Sequence, residues 1–213
     1  MPKSIRRDFP LFPLGIVALP GEGVPLHIFE ERYLVMIEHC LAAGEDPEQG
    51  EFGIVWLSDA GLKPVGCACS VERVLERTDD GRLNIVARGT RPFRLLERQD
   101  ELPYPAGVVE FVREREEQPD ADAAASAHEL YRELVLQATD RELEDPELSA
   151  MDAYDMAATV EFAVEEKQEL LELRSENARL RLLTRLIAAA IERLEQLERA
   201  QVRALSNGKV RFS

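Results

Sequence analysis

The chain has 213 residues, 45% hydrophobic and 31% charged, with 12 Gly and 12 Pro. That length suits one ordinary domain or a domain with an appendage, and the composition excludes disordered, collagen-like and disulfide-scaffold classes. Lys and Arg total 26 against 41 Asp and Glu, a net charge of −15; such a surface repels a phosphate backbone, so no nucleic-acid partner is expected. The charge is spread over both halves, −6 over residues 1–112 and −9 over 113–213, with no basic patch in either.

Three cysteines, Cys40, Cys67 and Cys69, are an odd number and fit a reducing compartment. Cys67 and Cys69 share a strand face, but no second Cys or His cluster stands at ligand spacing to complete a metal site, so they read as small buried hydrophobes. Arg6-Arg7 ahead of Phe9-Pro10-Leu11-Phe12 superficially resembles an export signal, but Pro10, Pro13 and Pro20 interrupt the helix such a signal needs. No stretch approaches the ~18 consecutive apolar residues of a membrane span. A cytoplasmic protein without membrane contact is expected.

From Leu11 to about Val112, short strand-like runs alternate with turn signals, as in an antiparallel barrel or sandwich. The runs are Ile16 to Leu19, Val24 to Phe29, Phe52 to Leu57, Val65 to Leu75, Leu83 to Arg88, Phe93 to Glu97 and Val108 to Val112. Asp80-Gly81 is the strongest hairpin signal, both residues tolerating positive φ. One helix interrupts the strands: Tyr33, Met36, Ile37, Cys40 and Leu41 recur at helical spacing, with Gly44 placed as a left-handed C-cap. The polar stretch 114–120, containing Pro119, marks a boundary, which predicts a strand-rich part at 1–113 and a helical part at 114–213.

In the second part, Ala127, Leu130, Tyr131, Leu134 and Ala138 form an apolar stripe. A further helix is expected from a Ser149 cap with Ala153, Met156, Val160 and Val164 buried, then a short one over Glu165 to Leu173. Ser175 opens a long helix running to about Leu205, about 46 Å at 1.5 Å per residue. Along it Leu180, Leu183, Ile187, Ala190, Leu194 and Leu197 make a heptad seam. Packing within the chain is the favoured use of that seam, and a homodimer through the helix is the other.

Common catalytic signatures are absent from the sequence. There is no phosphate-binding G-x-x-x-x-G-K-[ST], no H-E-x-x-H and no G-x-S-x-G, and Gly21-Glu22-Gly23 reads as a turn because the third glycine of a dinucleotide fingerprint is missing. His27, His39 and His128 are scattered, with no carboxylate spaced to orient them, and His27 in an apolar strand reads as a core residue. Glu30-Glu31 and Glu165-Glu166 lie at helix starts, where the dipole stabilises an acid without any catalytic role.

The run from Pro10 to Tyr33, PLFPLGIVALPGEGVPLHIFEERY, resembles the opening signature of the Lon protease N-terminal, substrate-binding domain. The resemblance continues through Phe52-Gly53-Ile54-Val55, Gly66-Cys67, Asp80-Gly81-Arg82-Leu83, Gly89, Arg91-Pro92-Phe93-Arg94 and Glu166 to Glu172. It implies an α+β fold: a PUA-like β pseudo-barrel with one inserted helix, then a helical bundle ending in a long helix. It also implies recognition of polypeptides. The ATPase and Ser-Lys protease modules of the full-length proteases are not in the sequence, which in this respect resembles the stand-alone Lon-domain proteins of bacteria.

The expected function is therefore non-catalytic binding of an unfolded polypeptide or partner protein, with no cofactor and no metal. The turn Pro20 to Gly23 and the segment from Val24 to Phe29 would line a groove, by strand addition or apolar contact. The candidate peptide-binding residues are Leu26, Ile28, Phe29, Glu30, Glu31, Arg32 and Tyr33, the last four as the surface of a helix start. Against this, Leu26, Ile28 and Phe29 could simply be barrel core. An RNA-binding PUA-like protein and a small-molecule enzyme with an unrecognised site are the alternatives; grouped basic and aromatic residues would mark the first, and a deep polar pocket with convergent titratable groups the second.

Overall fold

The computed structural model describes residues 5–43 and 50–207. The chain divides into two compact units, Met1–Glu116 with Tyr154–Ser175, and Glu117–Ala153 with Glu176–Ser213. A boundary after residue 113 lies close to the first crossing, but the expected single cut does not describe the division, because residues 154–175 return to the strand-rich unit.

Seven strands and two helices concern the first unit most: β1 (Ile5–Leu14), β2 (Gly23–Ile28), α1 (Glu31–Ala42), β3 (Glu51–Ser58), β4 (Gly61–Leu62), β5 (Val65–Arg77), β6 (Leu83–Gln99) and β7 (Ala106–Phe111), with α5 (Val164–Glu172) returning later. The order β1-β7-β6-β5-β3 closes on itself, because β1 also pairs with β3 in parallel, Leu11 opposite Gly53 and Leu14 opposite Trp56. Closure pairs β1 with β3, the two strands that would otherwise be the edges of this run. β4 extends β3 as a hairpin, and β2 pairs only with the first half of β6, Gly23 opposite Arg88 through Ile28 opposite Leu83.

The barrel is filled by Phe9, Leu11, Val55, Ala68, Phe93 and Val109, all at most 1% exposed. Phe9 meets Phe93 edge-on with ring centroids 5.3 Å apart, a favoured aromatic geometry. On another side Phe12 packs on Tyr33 at 4.2 Å, and α1 buries Tyr33, Met36, Ile37 and Cys40, the positions its periodicity marks. The helix ends at Ala43 in a right-handed conformation; Gly44, the expected cap, lies outside the described residues.

Several elements differ from the sequence-based expectation. β1 has no counterpart among the expected runs; it holds Pro10 and Pro13 and is bulged between Arg6 and Phe9, where Asp8 takes φ +56°. Ile16 to Leu19 forms no strand, although Val17, Ala18 and Leu19 are buried. The two runs 83–88 and 93–97 are one strand, β6, which exchanges neighbours along its length. The 80–81 hairpin is present, but only Gly81 has positive φ, at 85°; Asp80 instead accepts a hydrogen bond from the Thr78 hydroxyl.

The second unit contains α2 (Ala121–Thr139), α3 (Asp145–Ser149) and α6 (Glu176–Asn207), with α4 (Ala153–Ala157) at its border with the first. Asp120 caps α2 by accepting from the Ala123 amide at 3.1 Å. The stripe is shorter than expected: Ala127, Tyr131 and Leu134 are buried, Leu130 is half-buried and Ala138 exposed. Ser149 ends α3 instead of capping a helix, its hydroxyl donating to the Pro146 carbonyl, and the helix after it spans only five residues. Along α6, Leu180, Leu182, Leu183 and Ile187 are buried while Leu197 is 61% exposed.

Candidate functional site

Three short pieces of chain build the main groove. The end of β1 supplies Phe12 and Leu14; the β3–β4 hairpin supplies Leu57 and Leu62; the start of α1 supplies Glu30, Arg32 and Tyr33, with Arg98 of β6 and Pro105 completing the rim. The recess has a volume of about 600 Å³. Its apolar wall is wet: Leu57 is 53% exposed, and Leu14 and Leu62 are half-buried. Exposed large aliphatic groups lining a concavity are the usual sign of something to be bound.

The rim is pre-arranged. Arg32 holds Glu30 through two contacts, Nε at 2.9 Å and a terminal nitrogen at 2.7 Å, and its guanidinium lies 4.6 Å from the centre of the Tyr33 ring. Burial raises the Tyr33 phenol above its ordinary pKa against the opposing pull of Arg32, so the ring stays neutral at neutral pH. The groove thus offers apolar area, a neutral phenol, one carboxylate and two guanidinium groups. These can hold an extended chain by contact and hydrogen bonds.

The seven sequence-predicted residues do not form one cluster. Glu30, Arg32 and Tyr33 line the groove just described, and Tyr33, expected at the surface, is buried because its ring packs on Phe12. Ile28 is only 1% exposed; strand alternation points it into the core with Val24, so it is no contact residue. Leu26 lines a second, shallow recess with Pro25, His27 and Leu75. Phe29 is 61% exposed against the His27 ring, at 5.8 Å, and so is not core; Glu31 is exposed outside both recesses.

The turn Pro20 to Gly23 belongs to the scaffold. Glu22 accepts from the Leu19 amide at 2.9 Å and from the Lys167 ammonium at 2.6 Å, while the Gly21 amide donates to the Gly89 carbonyl and the Gly89 amide donates to the Glu22 carbonyl, both at 2.9 Å. Leu14, Leu57, Leu62, Arg98 and Pro105 escaped the sequence reading. Leu57 and Leu62 had a usable signal, two leucines flanking Ser58-Asp59-Ala60-Gly61, but β4 is only two residues long and carries no periodicity.

Other chemistry-bearing groups have structural surroundings. His27 is exposed, not core, and meets Asn84 at 2.6 Å, which in turn donates to Glu76 at 2.8 Å, a polar ladder across β2, β6 and β5. His39 meets the Tyr104 hydroxyl and His128 the Met151 carbonyl. Cys40, Cys67 and Cys69 are buried and free. Burial pushes the Cys40 thiol up to about 11, and contact with Cys67 followed by burial pushes Cys69 well above the usual thiol range, which makes both poor nucleophiles. Among the described residues no group of three or more His, Cys, Asp or Glu could hold a metal ion, and no helix is long and apolar enough to cross a membrane.

With this geometry in place, comparison with known proteins defines the class. The model of the ATP-dependent protease La (LON) substrate-binding domain matches residues 8–189, and the chain belongs to that family. Lon protease of Anaeromyxobacter dehalogenans is 27% identical over 208 residues, covering 87% of this chain; the chain spans 23% of that relative's length. Among solved structures, the Lon N-terminal domain protein from Xanthomonas campestris superposes with a TM-score of 0.61 at 25% identity, covering 82% of this chain and 95% of the other. The N-terminal domain of Mycobacterium avium complex Lon protease has the same fold, with a TM-score of 0.61, 22% identity, and coverage of 84% and 97%.

Proposed function

We propose that this chain is a non-catalytic, cytoplasmic module that binds unfolded polypeptide in the groove between the β1 end, the β3–β4 hairpin and the start of α1. The observation that carries the reading is the aliphatic wall of exposed Leu57 and half-buried Leu14 and Leu62, which lines one recess with the Glu30–Arg32 pair. Membership of a substrate-binding family supports it. An extended peptide would place apolar side chains on the leucines and its backbone polar groups toward Arg32 and Arg98. Burying one leucine fully contributes ~1.5–3 kcal/mol, enough for several such contacts to give micromolar binding after the ordering cost. Three buried free thiols suit the reducing compartment this reading implies.

The test is fluorescence anisotropy of a labelled, permanently unfolded polypeptide titrated with the full chain. Saturable binding is expected, weakened at least tenfold by Leu57→Asp, a substitution at an exposed position that leaves the fold intact. An unfolded RNA strand serves as the competing ligand at two salt concentrations. Tight RNA binding with a steep salt dependence, or polypeptide binding untouched by Leu57→Asp, would contradict the proposal.

A further inference from the structure

A third recess, which shares no residue with the groove, has a volume of about 340 Å³ and is lined by Arg94, Arg113 and Arg174 together with Glu110, Phe111 and Glu172. Arg94 projects from β6, Arg113 follows β7 and Arg174 follows α5. One backbone bond and one side-chain bond tie the last two segments together: the Arg115 amide donates to the Arg174 carbonyl at 2.7 Å, and the Arg174 Nε donates to the Arg113 carbonyl at 3.2 Å. The charged groups therefore stand on fixed supports.

Their pairing bears on what the recess can hold. Arg32, Arg77, Arg88 and Arg181 each rest on a carboxylate. Arg94 lies opposite Glu110 across the β6–β7 ladder, yet among the described residues neither it nor Arg113 makes a side-chain hydrogen bond or ion pair. Glu172 is already engaged, accepting from the Gln168 amide at 2.8 Å, and that amide also donates to the Val65 carbonyl at 3.1 Å. Behind the recess, Arg91 lies over the Phe111 ring at 3.8 Å with its charge answered by Glu51 at 2.7 Å. In a chain with 41 acids, two exposed guanidinium groups without a carboxylate partner stand beside a third at one recess.

We infer that this recess binds a small oxyanion, a phosphate or carboxylate group, held by Arg94 and Arg113 with Arg174 in support. A guanidinium presents a planar fork of donors that matches two oxygens of such a group, and charge-assisted bonds of this kind are stronger than neutral ones. Glu110 and Glu172 limit the site to a ligand that reaches the arginines without crowding the carboxylates, which favours one compact anionic group over a polyanion. The inference does not depend on the polypeptide groove, whose residues it does not share.

The experiment is amide-detected NMR of the full chain titrated separately with inorganic phosphate, a short peptide with a free C-terminus, and the same peptide amidated, at constant ionic strength set with chloride. Saturable shifts at Val65, Arg94 and Val112 are expected, with affinity at least tenfold weaker in the double variant Arg94→Gln/Arg113→Gln and unchanged in Arg185→Gln on α6. Saturation by phosphate assigns a phosphate group; saturation by the free but not the amidated peptide assigns a terminal carboxylate. Shifts no larger than chloride alone produces, or equal affinity in the double variant, would overturn the inference. Dispersion of the variant's amide spectrum reports that it remains folded.

Discussion

A Cβ on Gly89 would lie 2.0 Å from the Leu19 carbonyl oxygen and 3.2 Å from the Cys67 sulfur. Neither the backbone of the 17–23 corner nor the buried thiol can move aside cheaply, so Gly89→Ala is expected to destabilise the first unit by about 1–3 kcal/mol, read as a lower midpoint in urea. A second residue-scale prediction concerns Asp120. The hydrogen bond from the Ala123 amide, and then Arg181, holds its carboxyl below its ordinary value of 3.8. A depressed folded-state pKa contributes stability that is present above the ordinary value and is lost as pH falls through the folded value. The stability difference between the protein and Asp120→Asn should accordingly be constant above about pH 5 and shrink on further acidification; a difference that grows on acidification would reverse the sign.

At the scale of elements, the Pro20 to Gly23 turn is fastened to α5 by the Glu22–Lys167 pair, whose side chains are 20% and 14% exposed. Because the pair is partly desolvated and Glu22 also caps the Leu19 amide, a double-mutant cycle with Glu22→Gln and Lys167→Met should give a coupling of about 1–2 kcal/mol, where an exposed pair would give less than about 1. Neither partner could be assigned from sequence, since 145 positions separate them. Local signals suffice for α1, from the spacing of Tyr33, Met36, Ile37 and Cys40, for β2, β3 and β5, from their apolar runs, and for α5 almost to its ends. Local reading failed where tertiary pairing overrides propensity, as with the prolines of β1 and the interrupted helix after Ser149. The groove was half legible for the same reason. Glu30, Arg32 and Tyr33 stand in a signature stretch, whereas Leu57, Leu62 and Arg98 reach the site only through the closure of the barrel.

For the whole molecule, the heptad seam of α6 is largely spent within one chain, since Leu180, Leu183 and Ile187 are buried in the absence of any partner. What remains exposed is shorter than the three to four heptads a confident coiled coil needs, so sedimentation at micromolar concentration should give a single species at the monomer mass of 24.0 kDa. A species of twice that mass, abolished by Leu197→Glu, would assign the seam to a homodimer instead. Site-directed photo-cross-linking tests most directly the proposed binding of unfolded polypeptide along the aliphatic wall of the first unit. A photoreactive side chain at Leu57 should capture the bound polypeptide efficiently, and the same group at Leu75 or Leu197 should not. Capture at Leu197 alone, or equal capture at all three positions, would contradict it.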